Sequence, residues 1–235
     1  MVQILATKPS TAKENMAIDT MLLSSLEKTL DPILHLYEWS CPSITCGYFK
    51  KPANYFKLEE LAARKIDIAV RPTGGGIVFH GKYDLAFSFL MPSFHKYFST
   101  DLMENYHFVN TIVKNAIEEL LADKQIALAT VKEPSTAPHF CMAAPTKYDV
   151  VIAGKKVAGA AQRRKQAGYL HQGIISLAVP DKELLTAILQ RPSDVYHAIT
   201  ERTYAPFQKD WTPHQLDKAH YKLRLLLMKY FRAAL

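Results

Sequence analysis

The chain has 235 residues, of which 49% are hydrophobic and 22% charged, with a formal net charge of +7. This is enough apolar content for the core of one large domain, and no apolar run approaches the ~18 residues that a membrane helix needs. The opening MVQILATKPSTAKEN lacks the zones of a secretory leader, and Cys41, Cys46 and Cys141 have no CxxC spacing, so a cytoplasmic location is expected, with reduced thiols and no metal site.

In chain order, Met16, Met21, Leu22, Leu23, Leu26 and Leu30 recur at helical spacing and predict a helix over 15–30, with Asn15 and Asp19 near its start. Strands are expected over 33–39 and 43–48, parted by Cys41-Pro42, then a helix over 56–65 and an apolar run over 66–70. Next comes RPTGGGIVFHGKYDLAFS, residues 71–88. Its three glycines, Gly74, Gly75 and Gly76, let the backbone take φ > 0 and come close to a ligand, with N–H groups free for phosphate oxygens and Arg71 as a nearby cation. A phosphate- or carboxylate-bearing ligand is therefore expected over this loop. A helix follows over about 102–121, an irregular loop rich in Pro, Thr and Ala over 129–145, and strands over 148–153, 155–161 and 169–178. Helices over 181–190 and 213–231 complete an α+β fold: one domain with a mixed β-sheet flanked by helices.

The segment KYDVVIAGKKVAGAAQRRKQAGYLHQGIISL, residues 147–177, places Lys155 and Lys156 just after a turn and before the small residues Ala158, Gly159, Ala160 and Ala161. Small side chains permit close approach by an extended ligand, and strand alternation sends only one of the two lysines inward, taken to be Lys156. A glycine loop, a facing cation and a small-residue wall make a site for an activated acyl group. Replacing Lys156 by alanine is expected nearly to abolish the chemistry of this site and leave folding intact. Arg163, Arg164 and Lys165 read as a solvated hairpin tip. The net charge suggests an acidic partner, whether nucleic acid, a membrane surface or an acidic protein, and with no zinc finger, aromatic-glycine RNA signature or helix-turn-helix pattern beside it nucleic acid is the minor reading.

Five stretches together resemble the lipoate-protein ligase, octanoyltransferase and biotin-protein ligase superfamily. They are Asn15-Met-Ala-Ile-Asp19, Arg71-Pro-Thr-Gly-Gly-Gly-Ile-Val-Phe-His80, Tyr148-Asp149, Gly154-Lys-Lys-Val-Ala-Gly-Ala-Ala-Gln162 and Leu170-His-Gln-Gly173, in that family's order across roughly residues 1–205. The resemblance implies a biotin/lipoate-ligase-like catalytic domain over 1–235 without an accessory C-terminal domain. It implies that Arg71, Gly74, Gly75 and Gly76 line the acyl and phosphate side of a pocket, that His80 and Asp149 shape it, and that Lys156 binds the activated carboxyl. Gly159, Ala160, His171 and Gly173 complete the binding wall. The implied substrate is lipoate or octanoate, with ATP and Mg2+ on the ligase reading and no permanently bound cofactor. The implied partners are lipoyl domains of 2-oxoacid dehydrogenase complexes or the glycine cleavage H protein, with acyl carrier protein as a donor and no membrane contact.

Two chemistries compete within the resemblance, because a free carboxylate is a poor electrophile and must be activated as an adenylate or a thioester. The unbroken Gly74-Gly75-Gly76 followed by Val-Phe-His, and the order His171-Gln172-Gly173, favour the ATP-dependent ligase. Cys141, in His139-Phe-Cys-Met-Ala-Ala-Pro145, stands where some octanoyltransferases carry a nucleophile, which makes a Cys141 thioester route the alternative. A catalytically silent module that retains a lipoyl or biotinyl ligand is the third reading.

Overall fold

The first helix begins three residues before its expected start, because Thr11 caps it. In the computed structural model, which describes residues 1–131, 134–206 and 212–235, strand β1 (Gln3–Ala6) leads to helix α1 (Ala12–Ser25). The Thr11 hydroxyl accepts the Glu14 N–H at 3.2 Å and the Glu14 carboxylate accepts the Thr11 N–H at 2.9 Å, satisfying two donors that a helix start leaves open. Asn15 is instead buried one turn in, its side chain donating to the Glu38 carbonyl at 3.0 Å.

The chain continues as β2 (Ile33–Leu36), β3 (Ser43–Cys46), α2 (Leu58–Ala63), β4 (Asp67–Val70), β5 (Ile77–His80), β6 (Leu85–Pro92), α3 (Leu102–Leu120) and β7 (Ile126–Leu128). Then come β8 (Val150–Ile152), β9 (Lys155–Lys165), β10 (Gly168–Ile175), α4 (Lys182–Ile188), α5 (Pro192–Arg202) and α6 (Pro213–Ala234). Strands β1 and β7 fall outside every predicted element, since three or four residues carry too few alternations to register as a pattern. Helix α5 was also missed, because its buried residues, Val195, Ala198 and Ile199, span little more than one turn. The loop expected over 129–145 holds one 3-10 turn, Cys141–Ala143, and its residues 132 and 133 lie outside the described residues.

Two sheets form where one was expected. Seven strands run in the order β1-β2-β6-β10-β9-β8-β7, with only β1 and β2 parallel; β4-β3-β5 make a second, three-stranded sheet. Central strands β6 and β10 are buried at every position, so their polar residues Ser88, His171 and Gln172 find side-chain partners inside the protein. Helices α3 and α6 cover one face of the large sheet through a core that includes Phe87, Phe89, Val113, Tyr169, Leu223 and Phe231. The opposite face carries α1, and the small sheet packs on α4 and α5 through Ile44, Phe56, Phe140, Leu185 and Ile199. Between the two sheets lies a crevice. Among the described residues, no helix is long and apolar enough to cross a membrane.

Candidate active site

The small-sheet wall of the crevice is the glycine loop, and Arg71 braces it from inside. Its guanidinium donates through Nη1 to the Thr45 carbonyl at 3.0 Å and the Thr45 hydroxyl at 2.8 Å, and through Nη2 to the carbonyls of Gly74 at 3.1 Å and Gly76 at 2.9 Å. With its terminal nitrogens so engaged and the residue only 5% exposed, Arg71 shapes the loop and does not stand free for a ligand phosphate. Gly75 has φ +85°, a conformation open to glycine at no steric cost.

The opposite wall is β9, where strict alternation from Lys156 would turn Ala158 and Ala160 toward the crevice. A β-bulge changes the phase: Val150 pairs with Ala158 and Val151 with Lys156, leaving Val157 as an extra residue. Val157 and Ala158 both enter the α3/α6 core, while Lys156, Gly159 and Ala161 line the crevice. A Cβ at Gly159 would lie 2.2 Å from Lys156 Cε, so only glycine leaves room for the inward lysine. Lys155, the first residue of β9, is exposed.

Lys156 and Asp149 form a buried ion pair. Nζ lies 2.7 Å from the carboxylate, and both side chains are under 5% exposed. Asp149 also accepts the Thr146 N–H at 2.7 Å and the Thr146 hydroxyl at 3.0 Å. Beside it, Tyr148 takes φ 70°, a strained position for a bulky residue, held by its N–H on the Ala129 carbonyl at 2.7 Å and by the Asn110 amide on its own carbonyl at 2.8 Å. A second Nζ bond, 2.9 Å to the Cys141 carbonyl, ties this pair to the loop that carries the thiol.

Cys141 Sγ accepts the Gly76 N–H at 3.2 Å, so the thiol sits on the glycine loop itself. The nearest histidine in sequence, His139, is engaged elsewhere, with Nδ1 3.0 Å from Lys50 Nζ. Cys46 differs: it is wholly buried in β3, and burial pushes its thiol up to about 11. Of the two, only Cys141 lines the crevice.

Met16, Tyr37, Trp39, Val78, Met142 and Ile174 form an apolar interior between the walls, leaving a cavity of about 30 Å3. That is room for about two waters. His80 closes the inner end. Thr45 Oγ1 accepts from Arg71 and lies 2.8 Å from His80 Nε2, while the buried Nδ1 has no partner among the described residues. Burial holds this imidazole well below its usual range, hence neutral, and the Trp39 ring lies against it with centroids 4.3 Å apart.

The family model described as the lipoyl protein ligase A/B catalytic domain matches residues 11–204. The chain belongs to this family. An octanoyltransferase LipM from Kyrpidia tusciae is 30% identical over 209 residues, covering 86% of this chain and 75% of the relative. Another from Halalkalibacterium halodurans is 29% identical over 205 residues, covering 85% and 72%. Among solved structures, lipoate-protein ligase A bound with ATP superposes with TM-score 0.73 at 24% identity, over 99% of this chain and 84% of that one. The bipartite lipoate protein ligase of Thermoplasma acidophilum, solved with its E2 lipoyl domain, gives 0.75 at 23%, over 99% and 82%. These structures establish the fold, and the family and relatives make the chain an enzyme of lipoate ligase or octanoyltransferase type.

Within this ligase-and-transferase domain, most of the expected residues meet in the crevice. Arg71, His80, Cys141, Lys156, Gly159, Ala160 and Gly173 line it, and Asp149 reaches it through Lys156. His171 does not. Its ring faces α3, against Phe87 and Tyr106, with Nδ1 2.8 Å from Gln162 Nε2. Strand alternation points the next residue, Gln172, into the crevice instead. Its amide donates to Asp19 at 2.6 Å and to Met16 Sδ at 3.2 Å, and accepts the Thr73 hydroxyl at 2.6 Å, so it joins α1 to the glycine loop. The sequence reading passed over Gln172, although its place beside His171 on an alternating strand was the available signal. Arg163 is also corrected: it is no solvated tip, since its guanidinium lies 5.3 Å from the Tyr48 ring and donates to the Pro72 carbonyl at 3.0 Å.

Proposed function

We propose that this enzyme moves an octanoyl group from a thioester donor to a lysine of a lipoyl domain, by way of a thioester on Cys141. One observation carries the reading: the glycine loop, expected to cradle a phosphate, directs its Gly76 N–H at the Cys141 sulfur. The octanoyltransferase relatives support it over the ATP-dependent ligase that the loop sequence favours. The apolar interior suits an alkyl tail, and the acceptor belongs to a 2-oxoacid dehydrogenase complex or a glycine cleavage H protein.

The Cys141 thiol adds to the donor carbonyl, and collapse of the adduct breaks the donor C–S bond. The leaving thiol takes up the proton that Cys141 gives up. The acceptor's neutral lysine amine then attacks the new thioester, the amide C–N bond forms, and a proton from the amine returns to sulfur. Negative charge develops on the carbonyl oxygen in both steps. Lys156 supplies the positive charge on that side of the pocket, held in place by Asp149, and a preorganised charge of this kind stabilises the transition state without reorganisation.

Incubation with an octanoyl thioester should add one octanoyl mass to Cys141, removable by hydroxylamine, and Cys141→Ser should lose both the adduct and transfer. Full lipoylation by Cys141→Ser with ATP and lipoate would restore the ligase reading.

A further inference from the structure

The turn after β3 stands at the mouth of the crevice and has no assigned work. Gly47 N–H donates to the Gly76 carbonyl at 3.0 Å and Tyr48 N–H to the Thr73 carbonyl at 2.9 Å, so the turn lies directly on the glycine loop. Arg163 covers the Tyr48 ring, and Lys50 reaches His139, two residues before Cys141. From this platform Phe49 projects into solvent at 87% exposure, its ring edge-on to Tyr48, with the exposed Lys51 beside it. The charge around it is mainly positive: residues 39–58 contain no Asp or Glu and include Lys50, Lys51 and Lys57, and Arg163 lies on Tyr48, while the neighbouring carboxylates are Asp149, buried on Lys156, and Asp194, beside His139.

We infer that Phe49 and Lys51, on the Tyr48–Lys50 platform, form the docking surface for an acidic acceptor lipoyl domain. This rests on the thioester reading above. A second copy of this chain is disfavoured, because two such faces would meet with like charge. Reach favours the acceptor over a carrier-bound donor. A lysine has only a four-carbon stem, so the domain that presents it must sit on the rim immediately around Cys141, whereas a pantetheine thioester hangs from a far longer arm and leaves its carrier free to bind at a distance. An exposed aromatic ringed by cations fits a partner that offers a small apolar contact within an acidic surface.

The test is an NMR titration of an isotope-labelled lipoyl domain with the full-length enzyme, as wild type, Phe49→Ser and Lys51→Glu. Thermal melts and loading of Cys141 by a small octanoyl thioester serve as controls. Shift changes should cluster around the acceptor lysine, and each variant should weaken binding by about tenfold, with loading within about twofold of wild type. Lys51→Glu should also flatten the salt dependence of binding. Unchanged affinity in both variants overturns the assignment. So does slower loading from a carrier-bound donor with acceptor binding intact, which would give the surface to the donor. Failure of the small thioester to load wild-type Cys141 strikes the functional reading alone, because the affinities still decide whether the lipoyl domain docks here.

Discussion

Arg71 and Lys156 are the buried cations of one crevice, one on each wall, and their hydrogen bonds separate their work. Arg71 directs two nitrogens at four neutral oxygens of its own sheet and loop, with no carboxylate bonded to it among the described residues. Lys156 faces a carboxylate and the backbone of the cysteine loop. A planar fork with fixed donors suits a brace, whereas a point charge on a flexible stem suits a partner for a reacting carbonyl. Both residues look alike in the sequence, as a basic residue near glycines.

The strongest attempt to break this contrast is Lys156→Met. Loss of the charge facing the carbonyl should lower transfer by about a hundredfold or more. It should also cost about 3–5 kcal/mol of stability, since Asp149 would be left buried and unpaired. This revises the expectation that the lysine can be removed without harm to folding. Lys156→Met with Asp149→Asn should recover most of the stability and none of the activity, as read by denaturant unfolding beside a transfer assay. Recovery of activity in the double variant would make Lys156 merely structural.

Arg71→Lys keeps the charge and removes the fork. If Arg71 is a brace, transfer should fall by about tenfold and stability by about 1–3 kcal/mol, because loop carbonyls lose their donors. A full rate with lysine at this position would show that charge alone is needed there. Gly75→Val attacks the same loop through its backbone, forcing a β-branched residue to φ +85° with its Cβ 3.3 Å from Ala161. The strain is about 1–3 kcal/mol. Loading of Cys141 should suffer more than the melting temperature, and an unaltered loading rate would reduce the glycines to a hinge.

The smallest effect on transfer belongs outside the crevice. Burial lowers His171 to about 3. The folded protein therefore keeps this ring neutral while the unfolded chain protonates it from about 6.5 downward, so stability is lost as pH falls through that window, by up to about 1.4 kcal/mol per pH unit. His171→Gln should flatten the acid limb of a stability-versus-pH curve and leave transfer nearly unchanged. A steep drop in transfer would put His171 back among the site residues.

The resemblance carried by Arg71–His80 and by residues 154–162 was enough to place the enzyme in its family and to bring most of the site together. Periodicity also located the long helices α1, α3 and α6, because many turns of apolar spacing reinforce one another. It failed for β1 and β7, whose few residues are strands only because neighbouring strands complete their hydrogen bonds. His171 shows a different failure. A motif names a stretch of strand but not which of its alternating side chains faces the ligand, and here that side chain is Gln172.

What the sequence determined by itself was local: the glycines that permit the loop, the apolar spacing of α1, the small residues of β9 and the presence of a lysine and a cysteine in one family pattern. The tertiary structure decided how these are used. The bulge at Val157 puts Lys156 and Gly159 on one face, the packing of the small sheet turns Arg71 inward to brace its own loop, and the packing of residues 139–143 on that loop sets the Cys141 sulfur on the Gly76 N–H. Each of these depends on register and on contacts between residues far apart in the chain, which a local pattern of residue types does not contain.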